Sequence, residues 1–361
     1  MSAQSDDAAL RHKGAGTVRT PDMDDAIAMR GIATRLWAAV GLMSLLFATY
    51  CFIGWISSGN YIPRGFGADE PTPIQKAYYV FWHFVGIGAC LWVYWHFVIK
   101  PWGADGKISD DGIFVMAMHA MWFPYDLYIN SFVPTFVYSS WGPVLGGWMA
   151  NVPTTLTPNA EFLPATPLVS AFAYPWSIFF PAVIACQVVK RLQAKYPKRS
   201  YLTHFALIYA ILFVFGLQEL ITVYFQFMAF PTVIGSLTLF SGEVYQLPIY
   251  ETAFYSLMMV IFAAFRYFRD EQGLSVVERS VDEIAKTPRQ RFIYRFLAIH
   301  GFCVAVFLLA YNIPEALVSM HADTYAKDLP SFLNNDVCGT PRSGGVPCIQ
   351  GDDMPLPRVG N

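Results

Sequence analysis

Charge is what this sequence has least of. Lys, Arg, Asp and Glu make up 14% of its 361 residues, against about 25% in a soluble domain. A chain this poor in charge cannot cover a water-facing surface of ordinary polarity. The net charge of −2 leaves no basic footprint for nucleic acid. Clustered histidines are missing too: there is no HExxH, HxxxH or HxxHH, and no CxxC or Cys/His zinc spacing. Metal sites built on those patterns are therefore not expected, and no cofactor is. The nucleophile elbow GxSxG, the Walker loop and the dinucleotide fingerprint are also missing. The last apolar run has no lysine to form a retinal-type Schiff base. No internal repeat marks an inverted-repeat transporter. The first ~30 residues lack the basic start, apolar core and small-residue cleavage site of a signal peptide.

What is present is apolar length. Hydrophobic residues make up 55% of the chain and aromatics 17%, with a mean hydropathy of +0.38. A bilayer-spanning helix needs ~20 mostly apolar residues. Seven segments qualify: 32–57, 77–99, 112–131, 169–190, 202–228, 248–268 and 292–313. The expected fold class is all-α, a polytopic transmembrane bundle of about seven spanning helices. The third segment is interrupted by His119, Pro124, Asp126 and Asn130, and Pro124 should kink it. Residues 1–31 read as a disordered cytoplasmic tail, 32–313 as the membrane domain and 314–361 as an outer-facing tail.

Basic residues set the orientation. They gather in the N-terminal tail (Lys13, Arg19, Arg30, Arg35), in KRLQAKYPKR and in the link RYFRDEQGLSVVERSVDEIAKTPRQR. Seven crossings put all three on one side, the cytoplasm. The N-terminus is then inside and the C-terminus outside. The 58–76, 132–168 and 229–247 loops face outward. Cys338 and Cys348 fall outside too, where a disulfide could close CGTPRSGGVPC. Cys51, Cys90, Cys186 and Cys303 sit in apolar runs and read as small buried hydrophobes. The expected location is a bacterial cytoplasmic membrane. The lipid bilayer and a lipophilic small molecule are the expected partners, with a homo-oligomer or a membrane complex open.

A charge in hydrocarbon costs ~2.5–3.5 kcal/mol even on the lenient scale, so polar groups at membrane depth need a reason. On this topology several lie in the outer half. They are His83; Asp126 and Asn130 at i, i+4; Glu219, Thr222 and Gln226 sharing a face; Tyr245, Tyr250 and Glu251 at the entry to the sixth segment; and Asn312. A pocket open to the outer leaflet or outer water would gather them. The bland alternative for His83 is an interhelical histidine with a structural partner, and for Glu243 a solvated loop residue. Glu219 is hardest to dismiss, because LFVFGLQELITVYF surrounds it with apolar residues. His96, His204 and His300 read as structural or interfacial, while His119 is open between roles.

Several stretches carry a resemblance. LFSGEVYQLPIYETAFYS and FRYFRDEQGLSVVERSVD resemble the heart of the AveC-like spirocyclase family. HGFCVAVFLLAYNIP and DTYAKDLPSFLNNDVCG resemble its C-terminal part. WFPYDLYIN, Trp141-Gly142-Pro143 and LQELITVYF are similar as well, so the likeness covers roughly residues 35–340. Ser280 departs from it, standing where the family pattern has glycine. The resemblance implies a membrane enzyme that dehydrates and cyclises a dihydroxy-ketone to a spiroketal. That chemistry needs one carboxyl as acid, to expel water from a hemiketal. A second must act as base on the attacking hydroxyl. The expected assignment makes Glu219 the acid and Asp126 or Glu251 the base. His83 would orient groups or relay protons. Tyr245 and Tyr250 would face the cationic intermediate, and Trp122, Asn130, Thr222, Gln226 and Asn312 would contact substrate. Two other readings use the same features. One is another lipid-phase dehydratase or isomerase acting on a terpenoid, sterol or acyl substrate. The other is a lipophile-binding membrane subunit without catalysis.

Overall fold

The computed structural model describes the backbone of residues 23–337 apart from Arg64 and Phe66, and side chains from Ile32 onward. The proposed Cys338–Cys348 disulfide and most of the 1–31 tail lie outside the described residues. The helix α1 already begins within that stretch, at Met23.

Six helices are long and apolar enough to cross a membrane. They are α1 (Met23–Ser57, apolar from Ile32), α2 (Pro73–Asp105), α4 (Pro167–Lys195), α5 (Tyr201–Tyr224), α6 (Ile249–Tyr267) and α7 (Pro288–Ser319). Their starts are written in local sequence. Thr72 and Gln75 form a capping box at α2, with Pro73 in the first turn. Ser200 accepts from the Thr203 amide at α5, and Thr287 from the Gln290 amide at α7. Each cap satisfies amides that the first helical turn would leave orphaned. Two helices widen into π turns, Trp95–Ile99 in α2 and Leu308–Asn312 in α7. A proline follows each, Pro101 and Pro314. Proline supplies no amide for the i→i−4 bond, so the ladder is re-spaced there.

The third expected segment is not a continuous helix. It forms α3 (Asp110–His119), then a short turn at Trp122–Tyr125, then a 3-10 turn at Tyr128–Asn130. Phe123 is extended (φ −104°, ψ 133°), as the residue before a proline tends to be. The segment still traverses the bundle. Asp110 and Asp111 pair with arginines at one end, while the Pro124 carbonyl accepts from Trp148 Nε1 toward the other. Six long helices and one broken, buried segment therefore make seven crossings. The described chain starts and finishes at opposite ends of the bundle.

The helices at the centre are α6 and α7, each half-buried along its apolar window, while α5 is only 11% buried. The outward faces carry Leu46, Phe84, Leu202, Val214 and Leu309 in the open, as lipid contact requires. The helices α1 and α7 cross at Gly41 and Gly301. A methyl group on Gly41 would lie 2.0 Å from the Leu297 carbonyl oxygen, so only glycine permits the approach.

The 132–168 stretch is a folded cap rather than an open loop. It holds β1 (Val137–Tyr138), two 3-10 turns and a bridge between Leu145 and Ala165. Trp148 is fully buried in it, and Trp55 of α1 donates to the Gly146 carbonyl. Short antiparallel pairs tie this end together. They join β1 to β2 (Met228–Ala229), β3 (Thr232–Val233) to β6 (Thr324–Tyr325), and β4 (Thr238–Leu239) to β5 (Leu247–Pro248). The α7 helix runs past the expected boundary at 313 to Ser319, and residues 320–337 then pack beneath the cap.

Candidate acid–tyrosine site

Four carboxyls lie in the half of the bundle under this cap. Glu251, in the first turn of α6, is 2% exposed. Tyr311 Oη donates to its Oε1 at 3.1 Å, and Thr252 Oγ1 lies 3.4 Å from its Oε2. Glu219 opens the last helical piece of α5 and is half-buried. Its carboxyl lies beside that of Glu251. A hydrogen bond between two carboxyls requires a proton on one of them. The pair can thus share one proton, one carboxyl as donor and the other as acceptor. Glu315, on α7 just past the π turn, is fully buried and lies within electrostatic range of both. Asp126 completes the set at 8% exposure; Tyr174 Oη donates to its Oδ1 at 2.9 Å and Tyr138 Oη at 3.4 Å.

Tyrosines connect the four acids. Tyr138 lies within electrostatic range of both Asp126 and Glu219. Tyr255 reaches Glu219 and Glu251, and Tyr311 reaches Glu219, Glu251 and Glu315. The Tyr311 ring packs against Tyr255 at 5.6 Å and Phe307 at 5.6 Å. Among the described residues, no lysine, arginine or histidine is a partner of these four carboxyls.

Of the residues singled out from sequence, Glu219 and Glu251 come together, and Tyr138 links Asp126 to Glu219. Tyr250 is buried beside Glu315 and Ser319. Asn312 is fully buried, and its Nδ2 donates to the Tyr125 carbonyl at 3.4 Å, next to Asp126. Asn130 holds the chain that follows it: its Oδ1 accepts from the Phe136 amide, and its carbonyl accepts from Thr157.

Others sit elsewhere. His83 Nδ1 contacts the Tyr79 carbonyl at 2.8 Å, and its ring lies 4.4 Å from that of Tyr79. No carboxyl is among its partners. Trp122 packs on Phe123 and Trp148 in the aromatic cap. Thr222 accepts from Tyr78 Oη, and Gln226 takes a left-handed conformation that ends α5. Tyr245 lines a groove of about 430 Å³ with Leu220, Ile221, Tyr224, Phe225 and Phe240. At 100° per residue, the α5 side chains in that groove point away from Glu219. The groove is thus a separate, apolar feature of the lipid-facing wall. Glu243 is an exposed loop residue. His204 contacts Gln193, His119 contacts Tyr94, and His300 contacts Ser44 and the Ala117 carbonyl.

Sequence reasoning missed Glu315, Tyr138, Tyr174, Tyr255 and Tyr311. Glu315 lay two residues beyond the apolar run assigned to the last span. Tyrosine is common at membrane interfaces, so these four did not stand out. Spacing held the usable signal: Tyr311 and Glu315 stand at i, i+4 across the Asn312 position.

At the opposite end of the bundle every buried carboxyl has a guanidinium. Arg295, 5% exposed, binds Glu278 at 2.7 Å and Asp110 at 2.8 Å. Arg266 and Arg269 both bind Asp111, at 2.6 and 2.9 Å. The RDEQGLSVVER stretch builds this buckle: Asp270 accepts from the Gln272 and Leu274 amides, and Glu278 from the Ser275 amide. Ser280 has φ −107°, a conformation that does not need glycine.

The model of the family described as spirocyclase AveC-like matches residues 107–334. The match holds α3 to α7, all four carboxyls and the arginine buckle. It is narrower than the 35–340 likeness seen in sequence, and it leaves His83 outside. No curated protein and no solved structure matches the chain. With more than half of its length matched, the chain belongs to the AveC-like spirocyclase family.

Proposed function

We propose that this protein is a membrane-embedded acid–base catalyst that removes water from a lipophilic hydroxy-ketone and closes it to a spiroketal. The carrying observation is the neighbouring pair of carboxyls Glu219 and Glu251, which can share one proton as donor and acceptor. In the step we infer, the protonated carboxyl gives its proton to the hemiketal hydroxyl, and the C–O bond breaks with release of water. The resulting oxocarbenium ion is attacked by the second hydroxyl. Its proton passes to a free carboxylate, so the enzyme ends with as many protons as it began. Tyr255 and Tyr311 stand near these carboxyls, and their aromatic rings would favour a passing cation. General acid–base help of this kind is worth typically 10²–10⁴-fold.

Family membership supports a spirocyclase or dehydratase type of reaction. The substrate and the roles of Glu219, Glu251 and Asp126 are this proposal's own. His83 is left out of it, because its partners are Tyr79 and Phe227. We further place the arginine-rich end in the cytoplasm of a bacterial cell by the positive-inside rule. The acid–tyrosine site then opens toward the outer half of the membrane.

The test is turnover by purified protein in nanodiscs on lipophilic dihydroxy-ketones. Mass spectrometry would follow loss of one water, and chiral chromatography the product stereoisomer. A single stereoisomer from wild type, lost in Glu251→Gln, is the expected result. Loss of water at equal rate in both proteins would remove the pair from the mechanism. A rearranged or unsaturated product would favour a dehydratase or isomerase of another lipid. Unaltered ligand recovered from the protein would favour a binding role.

A further inference from the structure

Beyond Glu251 lies a wall of buried oxygen atoms that nothing in the described chain serves. Both carboxyl oxygens of Glu315 lack a hydrogen-bond partner, as do Asn312 Oδ1 and Asp126 Oδ2. Glu315 and Asn312 are each 0% exposed and Asp126 8%. Buried polar atoms are normally partnered, and leaving one bare costs about 1–3 kcal/mol. Tyr250 Oη and Ser319 Oγ, beside Glu315, are bare as well, so the region holds unserved acceptors and hydroxyls and points to a polar group that the chain does not supply.

Local structure places them together. Asn312 and Glu315 are i and i+3 on α7 and share a face, and the π turn ending at Asn312 sets that face inward. The Asn312 amide nitrogen reaches the Tyr125 carbonyl, one residue before Asp126. Glu315 lies in electrostatic range of Glu251. The wall thus runs from Asp126 through Asn312 to Glu315 and abuts the proposed catalytic pair. The acids here are strung along the wall: among the described residues no three His, Cys, Asp or Glu side chains form a group able to hold a metal ion.

We propose that Glu315 and Asn312 form a hydroxyl-binding subsite, in which the carboxyl and the amide oxygen accept hydrogen bonds from hydroxyl groups of a lipophilic substrate. The inference rests on the functional reading above and specifies its recognition. Such a wall favours hydroxyls, which both donate and accept, over ether oxygens, which only accept. It orients a hydroxy-ketone with its hydroxyls toward α7 and leaves the reacting carbon toward Glu219 and Glu251. A site built to pair a hydroxyl rejects the analogue that lacks it, because its own buried groups are then left bare.

The test compares binding of two probes to the wild-type protein in nanodiscs. One is a long-chain dihydroxy-ketone and the other its bis-methyl ether, which accepts hydrogen bonds but donates none. Calorimetry should show the diol bound at least about tenfold tighter than the ether. In Glu315→Met, and independently in Asn312→Leu, the ratio should fall to about threefold or less. Equal binding of diol and ether by wild type would overturn the subsite. That is also the result expected if ordered water alone occupies the wall. An undiminished ratio in a folded Glu315→Met protein would overturn it as well, and so would binding of neither probe by folded wild type. The functional reading fails separately. Diol preference without loss of water sinks the reaction and keeps the subsite. Turnover with unchanged kcat/KM in Glu315→Met sinks the subsite and keeps the reaction.

Discussion

The two ends of this bundle solve the burial of carboxylates in opposite ways. At the arginine-rich end Asp110, Asp111 and Glu278 face Arg266, Arg269 and Arg295, three charges against three. In the other half Asp126, Glu219, Glu251 and Glu315 have tyrosines and one another, and no cation. A paired acid deep in a membrane protein is architecture, since removing either partner strands the other. An unpaired acid there costs stability without visible structural return, and such residues mark proton and substrate paths. The contrast separates the carboxyls that hold the fold from those available for chemistry.

The largest expected effect tests that separation where chemistry is assigned. Glu219→Gln and Glu251→Gln should each lower kcat by about 10²–10⁴-fold. Neither should lower the melting temperature, because amides fill the same space without a charge to bury. A variant that unfolds while wild type does not would make these residues structural and erase the contrast.

Next in size is the converse at the other end. Arg295→Met strands Glu278, which is 0% exposed, and should cost about 3–5 kcal/mol. The double variant Arg295→Met with Glu278→Met should recover most of the loss, as measured by chemical denaturation in micelles. A double variant no better than the single would mean that the pair is not the unit that matters.

A third change sharpens the boundary. Tyr174→Phe removes the 2.9 Å donor to Asp126 but keeps the 3.4 Å contact from Tyr138. The loss should be about 1–3 kcal/mol of stability. An increase in stability would place Asp126 with the dispensable acids rather than the anchored ones.

Much of this contrast was written in the sequence. Six long apolar runs gave the helices, and the arginine links gave one common end. Glu219, Glu251 and Asp126 stood out because each interrupts or borders an apolar stretch. Continuity of the third segment was not legible. Phe123-Pro124 breaks the helix locally, and only packing against α4 and α7 carries the chain onward. Glu315 was hidden by a boundary drawn at 313, because Asn312 and Pro314 look like a helix end. The π turn instead absorbs Pro314 and lets the helix run to Ser319. His83 stands apart from the carboxyls: its Nδ1 contacts the Tyr79 carbonyl and its ring packs on Tyr79 and Phe227, a placement that its polarity at membrane depth did not reveal.

The smallest effect concerns how the arginine end answers to pH. Burial pushes the Asp111 carboxyl up, but hydrogen bonds and charge from Arg266 and Arg269 outweigh it and hold it below the usual carboxylate range. An unfolded aspartate titrates near ~3.9. A folded value below that means the unfolded chain binds the proton first, so stability falls as pH falls. The Asp111 contribution is complete above ~4 and disappears as pH drops through its lower folded value. The gap in melting temperature between wild type and Asp111→Asn should therefore stay constant from about pH 7 to pH 5 and narrow only below about pH 4. A gap that already closes between pH 7 and pH 5 would show that the guanidiniums do not hold Asp111 ionised. The arginine end would then resemble the acid–tyrosine half more than its geometry implies.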